Sequence, residues 1–215
     1  LNKAEPDCES KRTDFLEICK SRGVPTLNDA AADVPPVGRL REYVDEGFDL
    51  VVFSGGKGLL GPQASGLLLG REDLVAAGRQ AISPHGGIGR GMKVGKEEVL
   101  GLVAAVERYL RVDHAAERAL LDGRAERVLA RLAGVGAVKA ELLVPEYHNH
   151  VPHVVVRWNE SEAGLTAEQA VERLKAGDPP VWISRTGPGE LRASMWMLRD
   201  GEDAIVADRV AALFA

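Results

Sequence analysis

The sequence has few cysteines and no long apolar run. Its two cysteines, Cys8 and Cys19, stand in a polar stretch without the spacing of a metal site, and a secreted disulfide scaffold would need more of them. No segment reaches the roughly 20 apolar residues that span a bilayer. The start of the chain, residues 1–5, also lacks the apolar segment of a signal peptide. These absences predict a cytoplasmic protein without a membrane partner.

The sequence also lacks an excess of positive charge. Its formal net charge is -5, and Lys and Arg are spread along the chain instead of forming a basic stripe. Such a distribution argues against nucleic acid as a partner, because neutralising phosphates requires clustered cations. With 215 residues, of which 45% are hydrophobic, the chain can build one large or two small cores.

The first part of the chain carries the pattern of a βαβ unit. A short strand over 24–29 stops at Asp29, a helical pattern over 37–47 ends at a glycine, and residues 48–53 form a continuous apolar run. Such runs are typical of strands buried in parallel sheets. A crossover of this kind brings both strands into one sheet with the same direction, so their carboxyl ends face one crevice.

The remaining pattern predicts an α/β protein with a partial parallel-sheet layer over residues 1–95, followed by a small α+β domain over 96–215. A glycine-rich loop over 85–91 precedes the second part, and the second of its two long helices should be broken or weakened near Gly123. The predicted elements after the first two strands are a strand at 65–69, helices at 97–110 and 115–132, strands at 137–144 and 151–158, a helix at 166–176 opened by a capping box at Thr166, strands at 181–184 and 190–198, and a helix from Glu202.

Residues 53–63 carry the most informative motif. They place Lys57 in a glycine-rich loop just past a buried strand, at the edge where open α/β sheets bind ligands. A desolvated lysine there can lose its proton and form a Schiff base with a carbonyl group. Two alternatives stay open: a lysine on a flexible surface turn, and a phosphate-binding loop, although Gly58 stands where that loop needs Ser or Thr.

Asp29 strengthens the Schiff-base interpretation, because it ends the neighbouring strand. A carboxylate beside the nitrogen of a pyridine ring keeps that nitrogen protonated, as pyridoxal 5'-phosphate (PLP) chemistry requires. Ser54 could donate a hydrogen bond to the cofactor phosphate, or it could simply cap the turn after the strand. Together these residues predict a PLP site.

Three segments then show a family resemblance. Residues 28–36, 53–71 and 88–98 resemble the selenocysteine synthase-related branch of fold-type I PLP enzymes, which includes bacterial L-seryl-tRNA(Sec) selenium transferase and D-glucosaminate-6-phosphate ammonia lyase. The resemblance is close over roughly residues 12–112. It implies the aspartate aminotransferase-like fold, with a partial PLP-binding large domain followed by the small domain, and by analogy a homodimer or higher homo-oligomer.

The resemblance also implies roles for individual residues. Lys57 resembles the Schiff-base lysine, Asp29 the partner of the pyridine nitrogen, and Ser54 the serine on the phosphate side. Arg90 is the candidate for an anionic substrate group, because a guanidinium can grip a carboxylate or phosphate through two hydrogen bonds. Gln63 is a weaker candidate for substrate binding.

Members of that branch carry a long amino-terminal half, which holds the main phosphate-binding loop and the residue that stacks on the ring. This chain starts after both, so we expect it to bind PLP poorly by itself. The predicted activity is that of a PLP-dependent lyase or transferase on an amino acid or amino sugar acid, with α-proton abstraction and β-elimination, of the ammonia lyase type. The alternatives are a selenium transferase-like activity and a truncated, non-catalytic fragment that only oligomerises.

Three histidines cluster at His148, His150 and His153. On an extended strand, the first two would point to one face and could hold a metal with a third ligand. The spacings of zinc sites are absent, so we predict no metal site. Trp158, Trp182 and Trp196 are expected to lie in the core of the second domain.

Overall fold

The computed structural model describes residues 8–214, which form two compact units. The first comprises the described residues up to Val112 together with Glu146–His150, and the second comprises Asp113–Pro145 and the chain from Val151 onward. The long helix that begins at Lys96 therefore belongs to the first unit, and the boundary lies near residue 112 instead of residue 95. The reason is that this helix buries Tyr109 in the core of the first unit.

The first unit contains a three-stranded sheet in the order β1-β2-β3. β1 and β2 pair in parallel, with Asp29 opposite Val52, so the predicted βαβ unit is confirmed. β3 is antiparallel to β2, which makes the sheet mixed. The elements of this unit are α1 (Cys8–Ser21), β1 (Leu27–Asp29), α2 (Arg39–Glu46), β2 (Leu50–Ser54), β3 (Gly66–Gly70), α3 (Glu72–Ala81) and α4 (Lys96–Arg111).

The core of the first unit fills the space between the helices and the sheet. Tyr43 of α2, Phe53 of β2 and Tyr109 of α4 belong to one buried cluster, and the ring of Phe48 packs edge-on against Tyr43. α2 ends at Gly47, whose φ of 114° suits a residue without a Cβ. This ending turns the chain directly into β2, which aims the carboxyl end of β2 at the same edge as that of β1.

The second unit is built on a four-stranded antiparallel sheet in the order β4-β5-β7-β6. β5 lies at its centre and is buried along nearly its whole length. Its elements are α5 (His114–Leu132), β4 (Lys139–Leu143), β5 (His153–Arg157), α6 (Glu160–Ala163), α7 (Ala167–Lys175), β6 (Ser184–Gly187), β7 (Glu190–Ser194), α8 (Glu202–Ala211) and a terminal 3-10 turn, Ala212–Phe214.

Helix boundaries in the second unit follow local signals. Thr166 accepts a hydrogen bond from the backbone of Gln169, and the Gln169 side chain accepts one from Thr166 N, so the predicted capping box is confirmed. The predicted weakness at Gly123 is wrong, because α5 runs without a break. Burial of Val128 and Leu132 in the core outweighs the cost of about 1 kcal/mol for a helical glycine.

Three other expectations differ from the structure. Helix α3 was not predicted, the strand expected at 181–184 begins only at Ser184, and Trp182 is 79% exposed, although Trp158 is buried as expected. The ring of Trp182 instead lies under the ammonium group of Lys175, 5.1 Å from its centroid. No helix in the described part of the chain is long and apolar enough to cross a membrane.

Candidate active site

The candidate site begins with an acid at the end of β1. Asp29 is exposed, and its Oδ1 accepts a hydrogen bond of 3.1 Å from the backbone N–H of Ala31. This bond turns the chain away from the sheet just after the strand. Because β1 and β2 are parallel, the carboxylate lies at the sheet edge from which the loop after β2 also leaves.

Lys57 lies in that loop, and hydrogen bonds close the loop around it. Gly61 N donates to Gly55 O at 2.7 Å, and Leu60 N donates to Lys57 O at 2.9 Å. Leu59 is fully buried and anchors the loop, whereas Lys57 is exposed. Within residues 8–214 the Lys57 amine has no ion-pair partner, so the loop presents a free amine on a fixed backbone.

The glycines of this loop are required by close packing. A Cβ on Gly58 would overlap with the backbone carbonyl of Val34, and one on Gly56 would overlap with Gln63. Val34 itself follows Asp29 by five residues and is buried. The segment after the acid therefore touches the residue next to the lysine, which ties the two loops together.

The other predicted site residues lie around these loops. Ser54 is the last residue of β2 and is half-buried. The Gln63 amide donates to Gly56 O at 3.2 Å, and this bond braces the lysine loop. Arg90 is exposed and donates to Ser83 Oγ at 2.8 Å. The roles in cofactor and substrate binding that we assigned to Asp29, Ser54, Lys57, Gln63 and Arg90 stay predictions.

The phosphate-loop alternative does not survive the local architecture. Such loops connect a strand to the amino terminus of a helix, where backbone N–H groups meet the anion. Here the loop after β2 leads to the antiparallel strand β3, and no helix starts in the described residues between Ser54 and Gly66. The surface-turn alternative is weakened by the hydrogen bonds and buried Leu59 that hold the loop.

His148 and His150 do not lie on an extended strand, as the metal interpretation would require, whereas His153 is the first residue of β5. His148 and Asn149 adopt left-handed conformations, with φ of 54° and 53°, and the ring Nδ1 of His148 lies 2.7 Å from Oδ1 of Asp33. Among the residues that the structure describes, no group of three or more His, Cys, Asp or Glu side chains could hold a metal ion. His148 instead takes part in a polar cluster of the first unit.

That polar cluster was missed in the sequence. Asp33 is buried and accepts a 2.6 Å hydrogen bond from the hydroxyl of Tyr43, to which Arg39 also donates at 3.2 Å. Burial and the bond to Asp33 raise the pKa of Tyr43 well above its usual range. The one available signal was the second aspartate of the Asp-Ala-Ala-Ala-Asp run, four residues after Asp29.

A second polar network lies at the amino ends of the same strands. Asp49 accepts hydrogen bonds from the backbone N and the hydroxyl of Thr26 and from Arg71. The bond from Arg71, with the bonds from Thr26, lowers the pKa of Asp49. A cavity of about 720 Å³ lies here, lined in part by these three residues, and none of the predicted site residues lines it. Because Asp29 and Lys57 do not line this cavity, it has no role in the candidate site.

Solved structures with the same architecture define the class of the fold. A structure of D-glucosaminate-6-phosphate ammonia lyase matches 94% of this chain and 52% of its own, with a TM-score of 0.70 and 28% identity. A structure of SPT with PLP covers 94% of this chain and 50% of its own, at a TM-score of 0.58 and 19% identity, a likeness that shows the fold alone. The fold is that of the fold-type I PLP-dependent enzymes.

The particular family follows from the sequence. The chain belongs to the L-seryl-tRNA selenium transferase family, whose model matches residues 9–148, so the predicted resemblance is confirmed. It is also similar to 5'-C-glycyluridine monooxygenase-decarboxylase of Streptomyces sp, with 34% identity over 90% of this chain and 47% of that protein. D-glucosaminate-6-phosphate ammonia lyase of Salmonella typhimurium is 29% identical over 92% of this chain and 51% of that protein. The chain thus spans about half the length of the curated relatives it matches.

Proposed function

We propose that this chain is the carboxy-terminal part of a PLP-dependent lyase or transferase that acts on an amino acid or amino sugar acid. One observation carries the proposal: an acid and a free amine follow neighbouring parallel strands, and their loops meet where Val34 touches Gly58. In this proposal, the first unit is part of the PLP-binding large domain and the second is the small domain.

The residues present fit PLP. The cofactor needs an amine to hold its aldehyde and a carboxylate to face its ring nitrogen, and Lys57 and Asp29 are both exposed at one sheet edge. When bound, PLP supplies an electron sink that stabilises negative charge at the α-carbon of the substrate. Ser54, which is half-buried beside the loop, would donate to the phosphate.

The side chains of this chain would then divide the proton transfers. Asp29 would keep a proton on the pyridine nitrogen, since a nearby carboxylate favours the charged form of a base. Lys57 would hold the cofactor through its Nζ, and the same amine, when not bound to the cofactor, would accept the proton from the α-carbon of the substrate. A β-substituent such as hydroxyl would then leave with the electron pair of its bond to carbon, and the protonated Nζ of Lys57 would return the abstracted proton to it. Arg90 would hold an anionic group of the substrate, with Gln63 as a weaker candidate.

The names of the relatives agree on the substrate class. A seryl ester, a glycyl group and a 2-amino sugar acid each carry an amine on the carbon next to a carbonyl carbon. We favour the ammonia lyase reaction, because the chain matches that fold at a TM-score of 0.70 and because its net charge of -5 disfavours tRNA. The second candidate is a selenium transferase-like reaction, which the family match supports.

We also propose a homo-oligomer. Within the described residues, β1 and β3 are the outer strands of the first sheet, and α4 exposes four large apolar side chains, namely Val99, Leu100, Val103 and Leu110. Exposed apolar area of this kind is typical of surfaces that contact another chain. Sedimentation of the chain should therefore give a mass above that of a monomer, and a monomer at all concentrations would contradict this part of the proposal.

The function is tested by trapping the amine that reacts with PLP. The chain is mixed with PLP, reduced with borohydride and digested, and labelling is compared at Lys57 and at Lys93, an exposed lysine that also lies between glycines. We expect Lys57 to be labelled preferentially, and the preference to increase if the amino-terminal half found in relatives is supplied. Lys57→Ala should remove the label, whereas Lys93→Ala should leave it.

Equal labelling of Lys57 and Lys93, with or without the added half, would rule out the cofactor site. The chain would then fit the alternative of a non-catalytic fragment that contributes only to oligomer contacts. Labelling of Lys57 without turnover of an amino sugar acid by the complete protein would instead keep the PLP site and reject the ammonia lyase reaction.

A further inference from the structure

The segment Ala30–Val34 lies between the two groups of the proposed site. It starts directly after Asp29, and Ala30 N donates to Val52 O of β2 at 2.9 Å. Its far end contacts Gly58, the residue after Lys57. Any shift of this short segment would therefore change the distance between the acid and the amine.

The same segment is held on its other side by Asp33. This carboxylate is 5% exposed and accepts hydrogen bonds from the Tyr43 hydroxyl at 2.6 Å and from His148 N at 3.1 Å. Nδ1 of the His148 ring lies 2.7 Å from Oδ1 of Asp33, the oxygen that also accepts from His148 N. Beside it, Asn149 N donates to Ala32 O at 2.8 Å. Two parts of the chain more than a hundred residues apart thus meet on one turn.

This arrangement is more than apolar packing requires. Ala30 and Val34 are already buried and would anchor the turn without a charge. A buried carboxylate is costly unless hydrogen bonds satisfy it, and His148 and Asn149 both adopt the left-handed backbone, which is uncommon outside glycine although these two residue types adopt it more readily than most. Costs of this kind are typical of residues that fix a functional geometry.

We propose that Asp33, Tyr43 and His148 form a clamp, the Asp33 clamp, that positions the segment Ala30–Val34 and thereby holds Asp29 in register with Lys57. Asp33 is in this view a positioning residue, since it acts through the segment and not on the substrate. The inference rests on the proposed function and extends it to the segment Glu146–His150, which comes from between β4 and β5.

The first test is the Asp33→Asn variant, which keeps the side-chain shape and removes the charge. The readouts are the preference of PLP for Lys57 over Lys93 after borohydride reduction and, before reduction, the position of the PLP absorbance band, which depends on protonation of the ring nitrogen. We expect the preference to fall about tenfold or more, as for other residues that orient a reacting group, and the band to shift.

The matched control is Asp49→Asn. Asp49 also accepts hydrogen bonds from a backbone N–H and a side-chain hydroxyl of one residue, Thr26, but it lies at the amino ends of β1 and β2. A variant there should lower the stability of the first unit without changing the Lys57 preference or the absorbance band. A merely structural role for Asp33 would make the two variants behave alike.

Two milder variants keep the test decisive if Asp33→Asn does not fold. Tyr43→Phe removes only the hydroxyl donor, and His148→Ala removes only the ring. Each should reduce the Lys57 preference less than Asp33→Asn, and each should increase amide hydrogen exchange in Ala30–Val34 while β2 stays protected.

The results separate the clamp from the function. If wild-type protein prefers Lys57 and the Asp33, Tyr43 and His148 variants keep that preference and the band, the clamp is wrong and the PLP site stands. If wild-type protein shows no preference for Lys57, the proposed function fails, and with it the role of the clamp in positioning Asp29. Unchanged hydrogen exchange in all three variants would overturn the clamp in either case.

Discussion

The two units of this chain differ in the contacts that stabilise each of them internally. The second unit relies on apolar side chains that α5, α7 and α8 pack against the sheet, with ion pairs between α5 and α8 such as Arg127 with Asp203. The first unit has a smaller apolar core, and its close backbone contact at Gly58 and its buried carboxylate Asp33 lie beside the candidate site. The comparison leads us to expect that apolar truncations in the second unit change stability alone, whereas small polar or steric changes in the first unit also alter the candidate site.

The largest expected effect is on the stability of the second unit. Leu174 of α7 is fully buried in its core, and Leu174→Ala should lower the free energy of unfolding by about 2–5 kcal/mol, measured by urea denaturation. The PLP preference for Lys57 should not change below the transition. The control is Leu142→Ala, which truncates a half-exposed leucine of β4 and should cost less. A loss of Lys57 labelling in folded Leu174→Ala would contradict the expectation that changes in the core of the second unit leave the candidate site unaffected.

The second effect follows from the addition of one methyl group to a glycine of the first unit, which should lower both stability and labelling. Gly58→Ala would push a Cβ into the carbonyl of Val34, and we expect a loss of about 1–3 kcal/mol in unfolding free energy together with loss of Lys57 labelling. Gly86→Ala is the matched control, since a Cβ there meets nothing within 4 Å. If Gly58→Ala labels normally, the contact between the two loops does not matter for the site.

The last effect concerns a charge in the second unit and is confined to stability. Burial alone would raise the pKa of Asp203, but the hydrogen bond from Arg127, 2.6 Å long, together with a backbone hydrogen bond and the charges of Arg127 and Arg124, outweighs it and lowers that pKa. Asp203→Asn should cost about 1–3 kcal/mol at neutral pH. Because the folded pKa is the lower one, this stabilisation is present above the unfolded value of about 3.9 and is lost as the pH falls through the folded pKa.

Urea denaturation of wild type and Asp203→Asn at several pH values measures this effect. The difference between the two proteins should shrink towards acidic pH. Asp208→Asn is the control, because Asp208 forms an exposed pair with Arg131 and such pairs contribute about 0–1 kcal/mol. A difference between wild type and Asp203→Asn that stays constant down to acidic pH would contradict the assignment.

Much of the fold could be predicted because its signals are local. The apolar run at 48–53 and the helix before it predicted the parallel pair, and the capping box at Thr166 depends on residues three positions apart. Helix α3 was not predicted, and none of its residues is buried. Its first turn carries Glu72 and Asp73, which is a helix-start signal that was available.

The site was predictable only in part. Lys57 and Asp29 stand out because each follows a strand. The Asp33 clamp depends on a hydrogen bond between residues 115 positions apart, and no local pattern encodes such a contact. The exposure of Trp182 was not predictable from local pattern either. The apolar residues before Ser184 suggested a strand, but β6 begins only at Ser184.

The central claim is that Asp29 and Lys57 serve the same pyridine ring, and one measurement tests it directly. PLP with an isotope-labelled pyridine nitrogen is attached to Lys57, and the nitrogen chemical shift is recorded in wild type and in Asp29→Asn. The account predicts a protonated nitrogen in wild type and a neutral one in Asp29→Asn. The same shift in both proteins would contradict it.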